Sequence, residues 1–372
     1  MPIHPLKRLE DKTRDLVMYL DYFMYLLLNP FKFKPFPKKI QRILVVELLK
    51  VGDLLVATPT VRALKEKWKN AEIDMLVAPE CAELLKRNTD VHESIPYTTF
   101  EKIQKKLKEK KYNLAFILHP GSLKISWLLF TARIKYRVGC TKSGIMYGKG
   151  FFLHKKIQLN NIWQHKIEDN LDVVRAIGAD TKNKRIELPV DPLAKRKIQT
   201  QLKKYGKIIF GIHAHSQHRS QQWIPERFAA VADRLVEKYQ CFIVFTGTKN
   251  EHEYIEHIIK QTAHKKSMIN YAGKTTMQEF IALIDSLKLL ISIDTGAIHI
   301  ASARNIPTVA LFGPTIPTFW GPSHERKRVI WKQETACVGC RKYYCAFDKN
   351  YECMRAITVE DVLREVDLLL KK

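Results

Sequence analysis

Residues 289–301 read LLISIDTGAIHIA, and this stretch decides the fold of the chain. An apolar, partly β-branched run ends abruptly at Asp294, and helix-forming residues resume after Gly296. This pattern predicts a buried parallel strand, a short polar turn and a helix. In the turn, Asp294 and Thr295 are candidate helix caps, and Gly296 lets the backbone approach a ligand closely. Because amides at the start of the helix would face an anion, the turn suits a phosphate or a nucleotide sugar.

A second unit of strand and turn follows directly along the chain. Thr308–Phe312 is again apolar and leads into the turn Gly-Pro-Thr at 313–315. Open α/β sheets bind ligands at the carboxyl ends of their strands, so the two turns are expected at one ligand site. The simpler interpretation is that Asp294 only caps a helix and His299 is a core histidine, and a lone motif of this kind would favour it.

Outside this stretch, strand and helix patterns alternate through both halves of the chain. Residues 43–46 and 208–212 predict the first strands of the two halves. Further strands are predicted at 73–77, 114–118, 137–139 and 241–245, and helices at 53–68, 81–87, 162–178, Pro225–Tyr239, 251–262, 277–286 and 358–370. The alternation predicts doubly wound parallel sheets, and 372 residues suit two domains. One large sheet is the alternative.

Residues 1–40 form an appendage in front of this pattern. Residues 16–28 are strongly apolar apart from Asp21, but they fall short of the about 20 apolar residues that a spanning helix needs. Basic residues flank the stretch on both sides, which predicts an N-terminal basic amphipathic helix on an anionic membrane surface. An extra helix packed on the first domain is the alternative. Since no cleavable signal peptide is apparent, we expect a cytoplasmic protein, peripheral at the inner face of the cytoplasmic membrane.

The charge of the chain indicates a polyanionic partner. Lysine and arginine number 63 against 38 aspartate and glutamate residues, a net charge of +25. Nucleic acid, an anionic membrane and an acidic glycolipid would all suit this charge. The basic residues occur in short scattered runs without a nucleic-acid-binding motif, so nucleic acid is the least favoured partner.

Four motifs resemble glycosyltransferase family 9, the ADP-heptose:lipopolysaccharide heptosyltransferase family. Residues 294–299, DTGAIH, resemble its donor-site segment, and residues 51–59, VGDLLVATP, resemble its first Gly-Asp turn. Residues 223–228, WIPERF, are similar to its Trp-Pro helix start. Residues 245–251, FTGTKNE, are similar to its loop with an acidic nucleotide contact, for which Glu251 is the match and Glu253 is nearly as good a match. The resemblance extends roughly over 42–370 and implies the glycosyltransferase B arrangement, an α/β fold of two Rossmann-like domains facing across a cleft.

The resemblance also implies a domain plan. The appendage of residues 1–40 would precede an acceptor-side Rossmann-like domain at 41–190. Residues 191–355 would form the nucleotide-sugar donor domain, with 185–204 as the linker that leads into it. A final helix within 356–372 would pack back across the domains.

The activity implied is inverting, metal-independent transfer of a heptose, or a related sugar, from an ADP-activated donor to a lipid-linked saccharide such as the lipopolysaccharide core. Asp53 would be the general base on the acceptor hydroxyl, beside Gly52 and Thr58 in the acceptor-side loop; a helix N-cap is the plain alternative for Asp53. The donor would contact Ser216, Arg219, Gln221, Gly247, Glu251, Thr275, Asp294, Thr295, Gly296 and His299.

No cofactor is implied beyond the donor, which is a substrate and by resemblance ADP-heptose. Two other functions remain open. One is the use of another nucleotide sugar for surface polysaccharide synthesis, and the other is a catalytically inactive, cationic adaptor for a membrane or nucleic acid.

One residue departs from the family pattern. Family members usually carry a lysine two positions before the tryptophan of the Trp-Pro motif, where it contacts the diphosphate, but this chain has Gln221. Arg219 is the better substitute and His218 the other, because arginine is always charged and can grip phosphate with two donors. This departure is the feature that favours the inactive adaptor.

Four of the seven cysteines cluster near the end of the chain, namely Cys337, Cys340, Cys345 and Cys353. One Cys-x-x-Cys pair with loosely spaced later cysteines permits a structural zinc site. Reduced thiols that merely pack in the core are the equally weighted alternative. We expect no catalytic metal, since no Asp-x-Asp motif occurs in a suitable loop.

Overall fold

The computed structural model describes residues 35–118, 122–140, 152–157, 163–206, 208–342, 344–345 and 350–371. The chain divides into two compact units, Met1–Lys184 and Arg185–Lys372. Each unit has its own parallel sheet, so the expectation of two α/β domains is confirmed and the single large sheet is wrong. The helix predicted within residues 16–28 lies outside the described residues, and the cleft stays a prediction. In the described part of the chain, no helix is long and apolar enough to cross a membrane.

The first unit is a doubly wound parallel sheet. Its elements are β1 Arg42–Glu47, α1 Val51–Lys67, β2 Glu72–Val77, a 3₁₀ helix Pro79–Leu85, β3 Glu93–Pro96, α2 Phe100–Lys110, β4 Leu114–Ile117, α3 Leu123–Thr131, β5 Tyr136–Cys140, β6 Lys155–Ile157 and α4 Lys166–Arg175. The strands lie in the order β3-β2-β1-β4-β5-β6, and all neighbours are parallel. Residues 43–46 are at most 3% exposed, as expected for a strand covered on both faces.

The second unit repeats the architecture. Its elements are α5 Pro192–Leu202, a 3₁₀ helix Lys203–Tyr205, β7 Ile209–His213, a 3₁₀ helix Arg219–Gln221, α6 Pro225–Tyr239, β8 Phe242–Thr246, a 3₁₀ helix Lys249–Glu251, α7 His252–Lys260, a 3₁₀ helix Lys265–Ser267, β9 Met268–Asn270, α8 Met277–Asp285, β10 Leu289–Ile293, α9 Gly296–Arg304, β11 Thr308–Phe312, α10 Pro317–Trp320, β12 Lys327–Trp331, α11 Glu352–Arg355 and α12 Val359–Leu370. The strand order is β12-β11-β10-β7-β8-β9.

Both sheets have the same topology, because each places its first strand beside its fourth. In the first unit β1 pairs with β4, and in the second β7 pairs with β10. At such a switch point, consecutive connections leave on opposite faces of the sheet and open a crevice outside the carboxyl ends of the two strands. The topology therefore offers one candidate ligand site in each unit.

Several sequence predictions need correction. The predicted linker at 185–204 contains helix α5, which Asp191 caps by accepting hydrogen bonds from the Leu193 and Ala194 amides at 2.8 and 2.9 Å. The helix predicted at 81–87 is the 3₁₀ helix Pro79–Leu85. Strands β3, β6, β9 and β12 and helices α2 and α3 were not predicted. Strand β12 begins with two basic residues that resemble a solvated run, yet it pairs with β11 along its length.

The C-terminal helix begins where the sequence predicts. Thr358 and Asp361 form a capping box, in which each side chain accepts a hydrogen bond from the other residue's amide. Val362, Val366 and Leu369 are buried, and α12 packs on α6, β11 and β12 of its own unit. Packing across onto the first unit stays a prediction.

Candidate active site

In the first unit, the switch point places Asp53 in the first turn of α1. The helix begins at Val51, two residues earlier than predicted, and its N-cap is Lys50 rather than Asp53. The Asp53 carboxylate nevertheless accepts a hydrogen bond from the Lys50 amide, as the third residue of a helix does in a capping box. Asp53 is therefore not the N-cap residue, although its side chain accepts a hydrogen bond from the amide of the N-cap residue Lys50.

A second carboxyl group lies close to Asp53. Glu47 is the last residue of β1, only 4% exposed, and its Oε1 atom accepts a hydrogen bond from the Leu49 amide at 3.0 Å. Burial, aided by the negative charge of Asp53, raises the pKa of Glu47 to about 8. Burial also raises the pKa of Asp53 to about 6, although its backbone hydrogen bonds and the charges of Lys166 and Lys50 oppose this. At pH 7, therefore, Glu47 is mostly protonated and Asp53 mostly ionised.

A carboxylate with a pKa near 6 can take a proton at neutral pH more readily than an ordinary aspartate. This is the chemistry that the sequence predicts for Asp53. Sequence analysis did not single out Glu47. The available signal was a carboxylate at the end of an otherwise apolar strand, immediately before the loop that leads to Asp53.

The other two residues predicted for the acceptor-side loop lie in helix α1. Gly52 is in its first turn, and Thr58 is fully buried inside it. The Thr58 hydroxyl donates to the Leu55 carbonyl at 2.8 Å, next to Pro59, which has no amide hydrogen to donate to that carbonyl. The prediction that Thr58 belongs to the acceptor-side loop is therefore wrong, because Thr58 lies inside helix α1, where its hydroxyl satisfies the backbone next to a proline.

In the second unit, the loops after β7 and β10 meet at the switch point through Gln221. Its Oε1 atom accepts a hydrogen bond from the Ser216 hydroxyl at 2.7 Å, and its Nε2 atom donates to Asp294 Oδ2 at 3.2 Å. Gln221 and Ser216 are both buried. Gln221, the residue that departs from the family pattern, therefore joins the two loops by hydrogen bonds. Its neutral side-chain amide adds no charge to the site.

The motif that decides the fold forms the turn between β10 and α9. Thr295 is the N-cap, with its Oγ1 atom 3.4 Å from the Ala297 amide, and the helix begins at Gly296. Asp294 precedes the N-cap residue and accepts a hydrogen bond from Gln221, so the predicted cap is confirmed for Thr295 and stays a prediction for Asp294. His299 is 2% exposed and stacks edge-on against Trp320, with ring centroids 6.2 Å apart.

The loop after β8 lies beside that after β7. Glu251 Oε2 accepts from the Thr248 amide at 2.7 Å within a capping box, and Glu251 Oε1 is 3.0 Å from His215 Nδ1. Gly247 leaves room for this side chain, because a Cβ atom on it would lie 2.7 Å from Glu251 Oε2. Glu251 therefore sits where the sequence predicts, but both its oxygens already have protein neighbours.

Three further polar residues complete this network and were not among the predicted donor contacts. His213 Nδ1 lies 2.9 Å from Thr246 Oγ1, and burial lowers the pKa of His213 to about 4, so its ring is neutral at pH 7. The Gln222 amide nitrogen donates to the Ser216 carbonyl at 2.7 Å and lies 3.1 Å from His215 Nε2. Their common signal is that each is on β7 or in the polar loop that follows it.

Arg219 and Thr275 lie at the edge of the network. Arg219 begins the short 3₁₀ helix that contains Gln221, its side chain is exposed, and it pairs with no carboxylate in the described part of the chain. Thr275 is half-buried in the loop between β9 and α8. Arg219 is thus a free cation close to the two joined loops.

Two of the four C-terminal cysteines are buried in the second unit. Cys337 and Cys353 are buried, Cys340 and Cys345 are partly exposed, and none of the four forms a disulfide. Burial, together with Cys337, raises the pKa of Cys353 to about 12. Among the described residues no group of three or more histidine, cysteine or acidic side chains is arranged to hold a metal ion. The structural zinc site and the packing alternative both stay predictions.

Comparison with known proteins agrees with this arrangement. The sequence model named Glycosyltransferase family 9 (heptosyltransferase) matches residues 100–351. Lipopolysaccharide heptosyltransferase 2 of Escherichia coli strain K12 is 28% identical over 355 residues, covering 88% of this chain and 98% of the relative. Lipopolysaccharide heptosyltransferase 3 of Escherichia coli is 26% identical over 334 residues, covering 86% and 96%.

Solved structures show the same fold. The ADP-heptose lipopolysaccharide heptosyltransferase II of Escherichia coli superposes with a TM-score of 0.75 at 25% identity, over 89% of this chain and 98% of that chain. A family 9 glycosyltransferase from Veillonella parvula gives a TM-score of 0.77 at 22% identity over the same shares.

Proposed function

Because the chain belongs to glycosyltransferase family 9, the heptosyltransferase family, we propose that it transfers a heptose, or a closely related sugar, from ADP-heptose to a lipid-linked saccharide such as the lipopolysaccharide core. The sugar donor is suggested by the names of the relatives, which include an ADP-heptose lipopolysaccharide heptosyltransferase. The acceptor is suggested by the same names.

The observation that carries this proposal is the desolvated Asp53 carboxylate at the switch point of the first unit. Inverting transfer is a displacement at the anomeric carbon, in which the acceptor hydroxyl must lose a proton as its oxygen attacks. Asp53 would take that proton. Glu47, protonated at neutral pH, adds no second negative charge beside the base.

The second unit would bind the donor. The leaving nucleoside diphosphate gains negative charge as the glycosidic bond breaks, and amides at the start of α9 together with Arg219 are suited to stabilise it. Gln221 would hold the loop that carries Arg219 against Asp294 and so fix the position of both. Because fixed donors and a cation can supply this stabilisation, we propose that the transfer needs no divalent metal.

Turnover with a panel of donors tests the proposal. The purified full-length chain is incubated with ADP-heptose, UDP-glucose or GDP-mannose, with or without a heptose-deficient lipopolysaccharide acceptor, and release of nucleoside diphosphate is measured. We expect release only with ADP-heptose and acceptor together, and no change in rate when a chelator of divalent ions is added.

Three results would contradict parts of the proposal. Preference for another nucleotide sugar would point to surface polysaccharide synthesis. Loss of activity on chelation, restored by magnesium, would refute metal independence. No release of nucleoside diphosphate with any donor would favour the inactive adaptor that the Gln221 departure suggests.

A further inference from the structure

A cavity of about 920 Å³ opens at the amino-terminal edge of the first sheet. Its lining comes from segments that precede three neighbouring strands. Lys38 and Lys39 precede β1, Asn113 precedes β4, and Arg133 and Lys135 precede β5. The three strands start side by side, so the fold gathers these residues although they are nearly 100 positions apart along the chain.

This cavity is separate from the candidate active site. Glu47 and Asp53 follow the carboxyl end of β1, whereas the cavity lies beyond its amino end. Strand β1 has six residues, so the two sites are about 17–20 Å apart along the strand direction. Ligands of the reaction are expected at the carboxyl edge, and the cavity at the opposite edge needs another explanation.

The described lining of the cavity is positively charged. It includes five cations, namely Lys38, Lys39, Arg133, Lys135 and Arg137, and no carboxylate among the residues that the structure describes. The first four form no ion pair within the part of the chain that the structure describes. Elsewhere in the same unit, Lys106 and Lys110 each lie within 2.7 Å of a carboxylate oxygen. Four cations without counter-ions among the described residues favour an anionic ligand.

An aromatic contact positions the chain segment before the two lysines. Phe36 packs against Tyr136 and Trp68, with ring centroids 5.2 and 6.5 Å apart. The backbone that leads to Lys38 and Lys39 therefore lies against the first unit, while the two lysine side chains are exposed.

An exposed apolar surface continues from the cavity along helix α3. Phe130 lines the cavity, and Trp127 packs beside it with ring centroids 5.4 Å apart. Trp127 is 43% exposed and Leu123, one turn earlier on the same helix, is 42% exposed. Cations beside exposed tryptophan and leucine are typical of surfaces that rest in the headgroup region of an anionic bilayer. A soluble phosphate would require the cations but not the apolar surface.

We propose that this cavity binds the phosphate headgroup of an anionic phospholipid and docks the first unit on a membrane surface, with Trp127 and Leu123 at the level of the acyl-chain boundary. Residues 1–34, which lead into the cavity segment, contain the apolar stretch with flanking basic residues, so both features would act on the same membrane. The proposal does not depend on which sugar the protein transfers.

Binding to vesicles tests the proposal with matched double variants of the full-length chain. Lys39→Gln with Lys135→Gln removes two cavity charges, and Lys105→Gln with Lys108→Gln removes two exposed, unpaired charges from α2 of the same unit. Both proteins keep residues 1–34 and the same net charge. We expect the cavity variant to bind phosphatidylglycerol vesicles about 10-fold more weakly than wild type, and the α2 variant to change little. Equal losses in the two variants would overturn the proposal, because they would show general attraction only.

Amine labelling of the wild-type protein distinguishes the lipid from a free anion. Phosphatidylglycerol vesicles should protect Lys38, Lys39 and Lys135 from acylation, while phosphatidylcholine vesicles and inorganic phosphate should not. Protection by inorganic phosphate alone would overturn the assignment to a lipid, and no protection by any of the three would overturn the site. Circular dichroism and thermal unfolding of both double variants establish that they fold. Transfer to a water-soluble acceptor should be unchanged in both, so failure here is distinguishable from failure of the proposed activity.

Discussion

The two switch points have the same strand order, but the carboxylates at them have different surroundings. In the first unit, Glu47 and Asp53 lie close together and burial raises the pKa of both. In the second unit, Asp294 accepts a hydrogen bond from the side-chain amide of Gln221. Glu251 accepts a hydrogen bond from a backbone amide and lies 3.0 Å from a ring nitrogen of His215. The same topology therefore contains one site at which burial raises the pKa of the carboxyl groups. It also contains a second site at which the carboxylates accept hydrogen bonds from neighbouring groups.

This difference indicates how two units of one topology can take different parts in a transfer reaction. A carboxylate that is poorly stabilised as an anion gains free energy by accepting a proton, which suits activation of an acceptor hydroxyl. A carboxylate that already accepts hydrogen bonds from neighbouring loops holds those loops in one arrangement, which suits binding of a donor.

The largest effect is expected from Asp53→Asn. Asparagine keeps the size of the side chain and can still accept a hydrogen bond from the Lys50 amide, but it cannot act as a base. We expect kcat to fall by about 10²–10⁴-fold, because a general base is lost, while the Kd of the donor is nearly unchanged. Steady-state kinetics and calorimetric titration with the donor measure the two quantities. As a matched variant, Asp294→Asn should weaken donor binding; unchanged turnover in Asp53→Asn would remove Asp53 from the mechanism.

The next effect concerns the cation of the donor site. We expect Arg219→Ala to lower the transfer rate by about 10²-fold, the usual result when a contact that stabilises developing charge is removed. Gln221→Lys should partly restore the rate of that variant, since it supplies a cation from the buried neighbouring position. Arg196→Ala, which removes an exposed arginine from α5, serves as the control. If Arg219→Ala left the rate untouched while Gln221→Ala abolished it, the neutral amide would be the donor contact.

Glu47→Gln is expected to have the smallest effect on the transfer rate, and its effect on stability depends on pH. The folded protein keeps Glu47 protonated up to a pKa of about 8, whereas an unfolded chain ionises it near 4.5, so wild-type stability decreases as pH rises through this range. The variant lacks this loss and should be more stable than wild type by about 4 kcal/mol at pH 8, with no difference below pH 4.5. The transfer rate of both proteins should rise with pH through about 6, the pKa of Asp53.

Denaturant unfolding at pH 4 and pH 8 measures this effect. Glu93→Gln is the matched control, and its effect on stability at pH 8 should have the opposite sign. Partial burial would raise the pKa of Glu93, but hydrogen bonds from Lys106 and Lys110 lower it. Its stabilising contribution is present above the unfolded pKa and lost as pH falls, so this variant should be less stable than wild type at pH 8. Equal stability of Glu47→Gln and wild type at pH 8 would show that Glu47 is ionised in the folded state.

Local patterns in the sequence were sufficient for several elements and for the family. Strands β10 and β11 and helix α6 have the predicted bounds, because a run of buried apolar residues between turns, or an apolar face with proline in its first turn, contains its own signal. The motif at 294–299 and its companions were enough to recognise family 9, and the match over residues 100–351 confirms it. Short strands such as β6 and β9, with three residues each, have too few positions to show a period.

Only the tertiary structure decided the surroundings of the chemical groups. Gln221 and Asp294 are 73 positions apart, and their contact exists because β7 and β10 pair at the switch point. The protonation of Glu47 depends on burial by the whole first unit, and the cationic cavity joins segments from Lys38 to Arg137. A sequence determines which groups are present and which local structure they favour, whereas pKa values and clusters depend on distances between residues that are remote along the chain.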